Sequence, residues 1–518
     1  MDRFSITTPI FYVNAPPHIG NAYTVVAAEV LARYYRHPPS SSELRGTRQG
    51  AEVFFLTGTD EHGAKVAEAA EAAGKSPQAF AGEMAATFKD VWQALDVQYD
   101  DFIRTTEPRH EAGVKQALQE LHDRGLLYKK PYRGLYCAGC ETFLTERDLQ
   151  GDGKCPLHQR APTEVAEENW FFRLAEFLPK AQEAIESDTL RVRPEERRNE
   201  VRGLFRQGLE DFSVSRSRER VAWGIPLPFD ETQTCYVWID ALLNYLTALG
   251  YGENAYAPWP KAHTRGKYWP ADTQLIGQDI LKFHAVYWPA ILLALDLSLP
   301  REIFAHGFFT VGGQKISKSL GSAVDPVTLV KRYGSDATRY LLLSQFPFGA
   351  SGDVQVARFD EQYDAVLANT IGNLVSRTVS LLQKFSGGRV PDAERDPSFT
   401  FPWSSPLVEG DAGAMLDHLV RRPVELAIRV NQYAEQTAPW KETEARKRDR
   451  ALRTLAEGVA WLGVLAEPLL PRAAAAIQEA FGVVGGEFPR SGTHIRPLRP
   501  AVLYPRACDL SGARPLSG

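Results

Sequence analysis

The sequence predicts an α/β chain in which a parallel-sheet domain, interrupted by an insertion, precedes an all-helical region. Three observations predict it. Strand, helix and strand signals follow one another at the start, similar signals return after a charged, cysteine-bearing stretch, and alternation then ceases. Phe4 to Val13 is apolar and β-branched and reads as a strand ending at the Asn14-Ala15-Pro16-Pro17 turn. From about Gly20 to Arg36 the apolar positions Val25, Val26, Val30 and Leu31 follow helical spacing. Val53-Phe54-Phe55-Leu56 reads as a second strand running into Thr57-Gly58-Thr59-Asp60. That order predicts parallel pairing through a right-handed crossover. Ligands of such sheets sit beyond the carboxyl ends of the strands, where His18 and Asp60 both fall.

Pro38-Pro39-Ser40-Ser41-Ser42 reads as a surface loop between these elements. Residues 126–229 carry a cysteine cluster and many charges and read as an insertion. Strand and helix signals return at Cys235 to Ile239 and at Thr273 to Ile276. From about Asp360 the pattern is helical, most clearly over Ala451 to Ile477, and a separate bundle is expected. There is no internal repeat.

With 518 residues, the chain is expected to form about two to four domains. Hydrophobic residues at 44% and charged residues at 24% are ordinary for a globular enzyme. The start MDRFSITTPI lacks the basic and apolar segments of a signal peptide. The longest apolar stretch, Ala285 to Leu295, is too short to span a bilayer, so a cytoplasmic chain is expected. The net charge of −5 neither announces nor excludes a nucleic-acid partner, because local patches decide. Two basic patches exist, Arg191 to Arg206 and Lys441 to Arg453. Both are interleaved with acids, and a solvated helix face is the plainer reading of either.

Three of the five cysteines cluster. Cys137-Ala138-Gly139-Cys140 and Cys155-Pro156-Leu157-His158 make two halves whose spacing suits a closed tetrahedral site of three thiolates and one imidazole. Zinc is the expected metal, in a structural role because all four positions are filled.

His18-Ile19-Gly20-Asn21 follows a strand and opens a helix, so its backbone N–H groups and positive dipole end can meet an anion. By itself this quartet is equally a tight turn. Lys315-Ile316-Ser317-Lys318-Ser319 alters that balance. It lies between Gly312, Gly313 and Gly321, and its two lysines can bring positive charge to a triphosphate.

These two stretches resemble the HIGH and KMSKS motifs of class I aminoacyl-tRNA synthetases, with Asn21 in place of the last histidine and Ile316 in place of methionine. The resemblance is closest to the methionyl family. It rests on Pro9 to Asn14, Thr57 to Gly63, Val237 to Ala241 and Ile276 to His284, and spans nearly the whole chain. It implies a Rossmann-type catalytic domain with a zinc-binding connective insertion, followed by an anticodon-binding bundle. The expected divisions are residues 1–125 and 230–359 for the two catalytic halves, 126–229 for the insertion and 360–518 for the bundle.

The resemblance implies ATP contacts at His18, Gly20, Asn21, Gly277, Asp279, Lys315 and Lys318, with Mg2+ accompanying ATP. His18, Asn21, Lys315 and Lys318 are the implied catalytic set. Ile10, Tyr12, Asp60, Trp238, Tyr245, Ile280 and His284 match the methionine pocket, where Asp60 holds the substrate ammonium. A thioether favours such an aromatic-edged apolar slot. Asn373, Arg377 and Trp440 match residues that read the anticodon of the tRNA. No large separate editing domain and no further C-terminal module is seen, and a monomer is expected. The competing readings are another class I synthetase, for a branched or sulfur amino acid, and a non-catalytic RNA-binding protein on the same scaffold.

Overall fold

The computed structural model describes residues 2–38, 50–137, 142–144, 149–155, 160–253, 259–260, 263–311, 314–315, 324–401, 411–483, 492–496 and 503–510. Its centre is a seven-stranded parallel sheet. The run expected as one strand from Phe4 to Val13 is two, Arg3–Thr7 and Phe11–Tyr12. Both pair with Glu52–Asp60, but Thr7 lies opposite Leu56 and Phe11 opposite Thr59, a one-residue slip. Proline is the cause, since Pro9 has no N–H for the ladder. The preceding Thr8 ties the break down: its N–H donates to the Leu56 carbonyl at 3.0 Å and its hydroxyl donates to that of Thr57 at 2.8 Å. A slip of one residue reverses which face later side chains take, and so re-aims Phe11 and Tyr12.

Asp101–Arg104 flanks Glu52–Asp60 on its other side. On the far side of Arg3–Thr7 come Thr273–Gly277, then Glu302–His306, then Arg191–Arg193. The early strands thus step out to one side of Arg3–Thr7, while Thr273–Gly277 and Glu302–His306 step out to the other, so the seam between Arg3–Thr7 and Thr273–Gly277 is the switch point where open α/β sheets bind ligands. Arg191–Arg193 belongs to the 126–229 segment expected to be wholly an insertion, yet it completes this sheet. The same segment also contributes an antiparallel sheet of Thr142–Leu144, Leu127–Cys137, Thr163–Phe172 and Phe212–Ser213, and the helices Leu178–Glu186 and Glu195–Gln207.

The helical region comprises Asn373–Ser386, Ala412–Thr437, Ala445–Ala466 and Pro471–Phe481. The run expected through Ala451 to Ile477 breaks after Ala466, where Pro468 and Pro471 interrupt it. The bundle is not isolated from the sheet. Val25, Val26, Leu341, Leu416, Leu455 and Trp461 share one buried apolar core.

A fully buried ion pair lies at that junction. The Arg339 guanidinium bonds to Glu29 of the first helix, Ile19–Arg36, and donates to the carbonyls of Pro468 at 2.8 Å, Leu469 at 2.9 Å and Leu95 at 3.4 Å. Among the described residues, no helix is long and apolar enough to cross a membrane.

Candidate active site

The helix Ile19–Arg36 begins beyond the carboxyl end of Arg3–Thr7, and His18 caps it. The Gly20 N–H donates to His18 Nδ1 at 3.0 Å, and the His18 N–H donates to Asn21 Oδ1 at 3.0 Å. This reciprocal capping box explains why asparagine serves where the resemblance has histidine: its side-chain oxygen secures the cap. Because Nδ1 accepts, the proton of the neutral ring sits on Nε2.

Beside this helix end lie the ends of the two neighbouring strands. His306 closes Glu302–His306, and its Nε2 accepts from the Thr24 hydroxyl at 2.8 Å while Nδ1–H donates to the Gly307 carbonyl at 3.0 Å. Burial lowers the pKa of this ring, which keeps it neutral. Gly277 ends Thr273–Gly277; a Cβ there would stand 2.6 Å from Asp279 Oδ1 and 3.7 Å from His306 Cε1. Gly277, Asp279, His306 and the capped helix thus share one end of the sheet.

Lys315 lies on Gln314–Lys315, paired with Phe309–Val311, so its backbone is placed. Lys318 and Ile316 fall outside the described residues. Just after them, the Val324 carbonyl accepts the Ile19 N–H at 3.2 Å, which ties the far end of the lysine segment to the start of the helix.

The residues that the resemblance matches to an amino-acid pocket also converge. Asp60 ends Glu52–Asp60 directly opposite Tyr12 and is buried. Tyr12, Ile10 and Trp238 pack against the apolar cluster that contains Tyr245. Trp238 stacks on Phe283 with ring centroids 4.0 Å apart. The Tyr245 hydroxyl meets His284 Nε2 at 2.8 Å, and His284 Nδ1 meets the Ile280 carbonyl at 3.1 Å. A carbonyl only accepts, so Nδ1 carries the proton and Tyr245 donates to Nε2. Burial pulls the His284 pKa down to about 4, so the ring is neutral at physiological pH. The slot is therefore apolar and aromatic, with neutral polar groups, and its buried acid is Asp60.

Sequence reasoning gave no role to several residues that brace this pocket. The Glu61 carboxylate is fully buried, held by Arg104 at 2.7 and 2.9 Å, Thr59 at 2.7 Å and Thr106 at 2.5 Å. Trp223 donates Nε1–H to the Glu61 carbonyl at 2.6 Å and accepts the Gly63 N–H at 3.0 Å. Asp240 bonds both His62 Nδ1 and His110 Nε2 at 2.7 Å. Glu61 and His62 lie within one of the quoted family segments and Asp240 within another. Only their separation in sequence hid the contact.

Of the residues that the resemblance matches to an anticodon contact, Asn373 is exposed and Arg377 lies one turn on. The Arg377 guanidinium sits over the Trp440 ring at 4.0 Å and pairs with Glu435 at 2.6 Å. Trp440 is thus partly covered. In the basic patch, Arg197, Arg198 and Arg202 are ion-paired with Glu200, Glu195 and Glu186. Of the metal-ligand set, Cys137 and Cys155 are buried, while Cys140 and His158 lie outside the described residues. Among the described residues, no group of three or more candidate ligands assembles.

Comparison with known proteins agrees with this geometry. The family model for "tRNA synthetases class I (M)" matches residues 4–164 and 151–379. A methionine–tRNA ligase of Thermosynechococcus vestitus is 40% identical over 495 residues, which cover 93% of this chain and 90% of that protein. One from Thermotoga maritima is 38% identical over 506 residues, 95% of this chain and 77% of that protein. Among solved structures, Mycobacterium tuberculosis methionyl-tRNA synthetase in complex with methionyl-adenylate is similar with a TM-score of 0.87. It is 34% identical, covering 98% of this chain and 100% of that one. The free form of that enzyme gives a TM-score of 0.79 at 31% identity, covering 98% of each chain.

Proposed function

This chain belongs to the methionine–tRNA ligases, the methionyl family of class I tRNA synthetases, and we propose from that premise how its residues carry the reaction. It activates methionine with ATP to methionyl adenylate and pyrophosphate, then transfers the methionyl group to the 3′ end of the methionine tRNA.

In our reading, Asp60 holds the substrate ammonium, and the Tyr12, Trp238, Tyr245, Ile280 and His284 slot takes the thioether chain beside Ile10. The observation that carries this reading is the placement of Asp60 opposite Tyr12, which packs against the apolar cluster holding Tyr245 of the neutral Tyr245–His284 pair. Held so, the methionine carboxylate attacks the α-phosphorus. A new oxygen–phosphorus bond forms as the bond to the β-phosphate oxygen breaks, and pyrophosphate leaves with that electron pair. The chain supplies no nucleophile. Its contribution is positioning and charge: His18 Nε2–H, the helix N-terminus, Lys315 and Lys318 meet the phosphates, with Gly20, Asn21, Gly277 and Asp279 shaping the ATP site. Mg2+ bound with ATP neutralises phosphate charge.

We assign one structural zinc to Cys137, Cys140, Cys155 and His158. Two buried thiols, one ending the Leu127–Cys137 strand, fit a closed site. Asn373, Arg377 and Trp440 form the anticodon contact, and the chain works in the cytoplasm as a monomer. Initiator and elongator methionine tRNAs are both substrates. The test is Trp440→Ala, assayed for methionine-dependent ATP–pyrophosphate exchange and for tRNA charging. Stacking on one base is worth ~1–3 kcal/mol, so charging efficiency should fall roughly 5- to 150-fold with exchange intact. Equal charging by the variant and the parent refutes the contact.

A further inference from the structure

The helix Val237–Thr247 has two working faces. Trp238, Ala241 and Tyr245 recur at helical spacing on one side, which faces the amino-acid slot. Asp240, Asn244 and Thr247 recur on a second side, about a third of a turn away. This second face is fully buried and polar, an arrangement that needs partners. Asp240 Oδ2 accepts from His62 Nδ1 and Oδ1 from His110 Nε2, both at 2.7 Å. The other nitrogen of His110 meets the Thr247 hydroxyl at 2.8 Å, so His110 grips the helix at two points about two turns apart. Gly113, one turn beyond His110 on the helix Pro108–Asp123, lets that helix approach Val237–Thr247: a Cβ there would lie 2.4 Å from Thr247 Cγ2 and 2.5 Å from the Tyr251 carbonyl.

His62 stands two residues beyond Asp60, on the segment that Trp223 and Thr105 also clamp. One carboxylate therefore joins the strand end that presents Asp60 to the helix that presents Trp238 and Tyr245. We propose that Asp240 is a positioning residue for amino-acid selection: through His62 and His110 it fixes the rotation of the Val237–Thr247 helix relative to Asp60, and so the width of the methionine slot. The proposal deepens the pocket reading given above and rests on it.

The electrostatics agree with an ionised bridge. Around His62 stand Asp240, Glu111, Glu61 and the edge of the Trp223 ring. Burial alone depresses the His62 pKa, but the Asp240 charge and hydrogen bond, with Glu111 and Glu61, lift it above its ordinary value. Burial likewise opposes the Asp240 charge, yet the two histidines hold its pKa down to about 2.

The test is steady-state ATP–pyrophosphate exchange by Asp240→Asn and His62→Gln, varying methionine, ATP and the non-cognate leucine in turn. Asparagine cannot accept from both histidines, and glutamine at position 62 keeps a neutral donor. For Asp240→Asn the methionine KM should rise about tenfold or more with the ATP KM within about twofold, and methionine-over-leucine preference should fall by a similar factor. His62→Gln should lie between this variant and the parent. A merely structural loss lowers the active fraction without moving the methionine KM or the preference. If Asp240→Asn does not fold, His62→Gln carries the test alone. Unchanged methionine KM and preference in folded His62→Gln overturn the proposal, while a parent enzyme that exchanges normally leaves the pocket reading intact. A parent that shows no methionine-dependent exchange overturns both.

Discussion

Replacing Tyr245 with phenylalanine removes one buried oxygen and tests the pocket at its most defined contact. Tyr245 is 1% exposed and His284 4%, so water does not replace the lost donor readily. His284 Nδ1–H is committed to the Ile280 carbonyl, which leaves Nε2 as a buried acceptor with its 2.8 Å partner gone. An unsatisfied buried group of this kind costs about 1–3 kcal/mol. If that cost falls on the methionine-bound state, the methionine KM rises about 5- to 150-fold. The ATP KM should hold, because the contact lies on the amino-acid side of the sheet seam. The assay is methionine-dependent exchange, with a guanidinium unfolding curve on the same preparation to divide the cost between folding and binding. A variant matching the parent in both measurements would refute the hydrogen-bond assignment and with it the neutral-pocket argument.

Other perturbations test other parts of the account. Arg339→Met leaves Glu29 with Arg33 alone and three backbone carbonyls without their donor. It should cost ~3–5 kcal/mol in guanidinium unfolding, whereas an effect under 1 kcal/mol would mean the junction is not held by this pair. His284, at about 4 against an ordinary 6.5, takes its proton in the unfolded chain before the folded one as pH falls. Stability should therefore be full above about pH 6.5 and decline by about 3 kcal/mol toward pH 4, and His284→Gln should flatten that part of the pH–stability curve. Metal analysis of the purified chain should find one zinc, absent from Cys137→Ser; a metal-free, fully active parent contradicts the zinc assignment.

The sheet and the helix start at His18 to Asn21 were legible because their signals are local. A β-branched run, a helical period and a Gly-bearing turn each declare themselves within a few residues. What stayed hidden was set by distance or brevity. Arg191–Arg193 is three residues long, with one apolar position, and no pattern marks it as the edge of the central sheet. The break at Thr8-Pro9 lay inside an apolar run and was readable from the proline. The Asp240 bridge joins residues 178 and 130 positions apart, and nothing in the spacing of His62 or His110 announces a shared carboxylate. Arg339 likewise reads as one polar residue in the helix Ser335–Leu343 until Glu29 and the Pro468–Leu469 carbonyls are placed around it. Continuous packing between sheet and bundle also escaped the sequence, because a helical period reports a buried face but not the surface that covers it.

Methionine activation in the slot between Asp60 and the Tyr245–His284 pair is what we propose for this chain. The most direct measurement is ATP–pyrophosphate exchange with methionine, leucine, isoleucine, valine or cysteine as the sole amino acid, in the parent, Asp60→Ala and Lys318→Ala. The account predicts exchange that requires methionine and is lost in both variants. Exchange driven by another amino acid, or methionine exchange that survives Asp60→Ala, contradicts it.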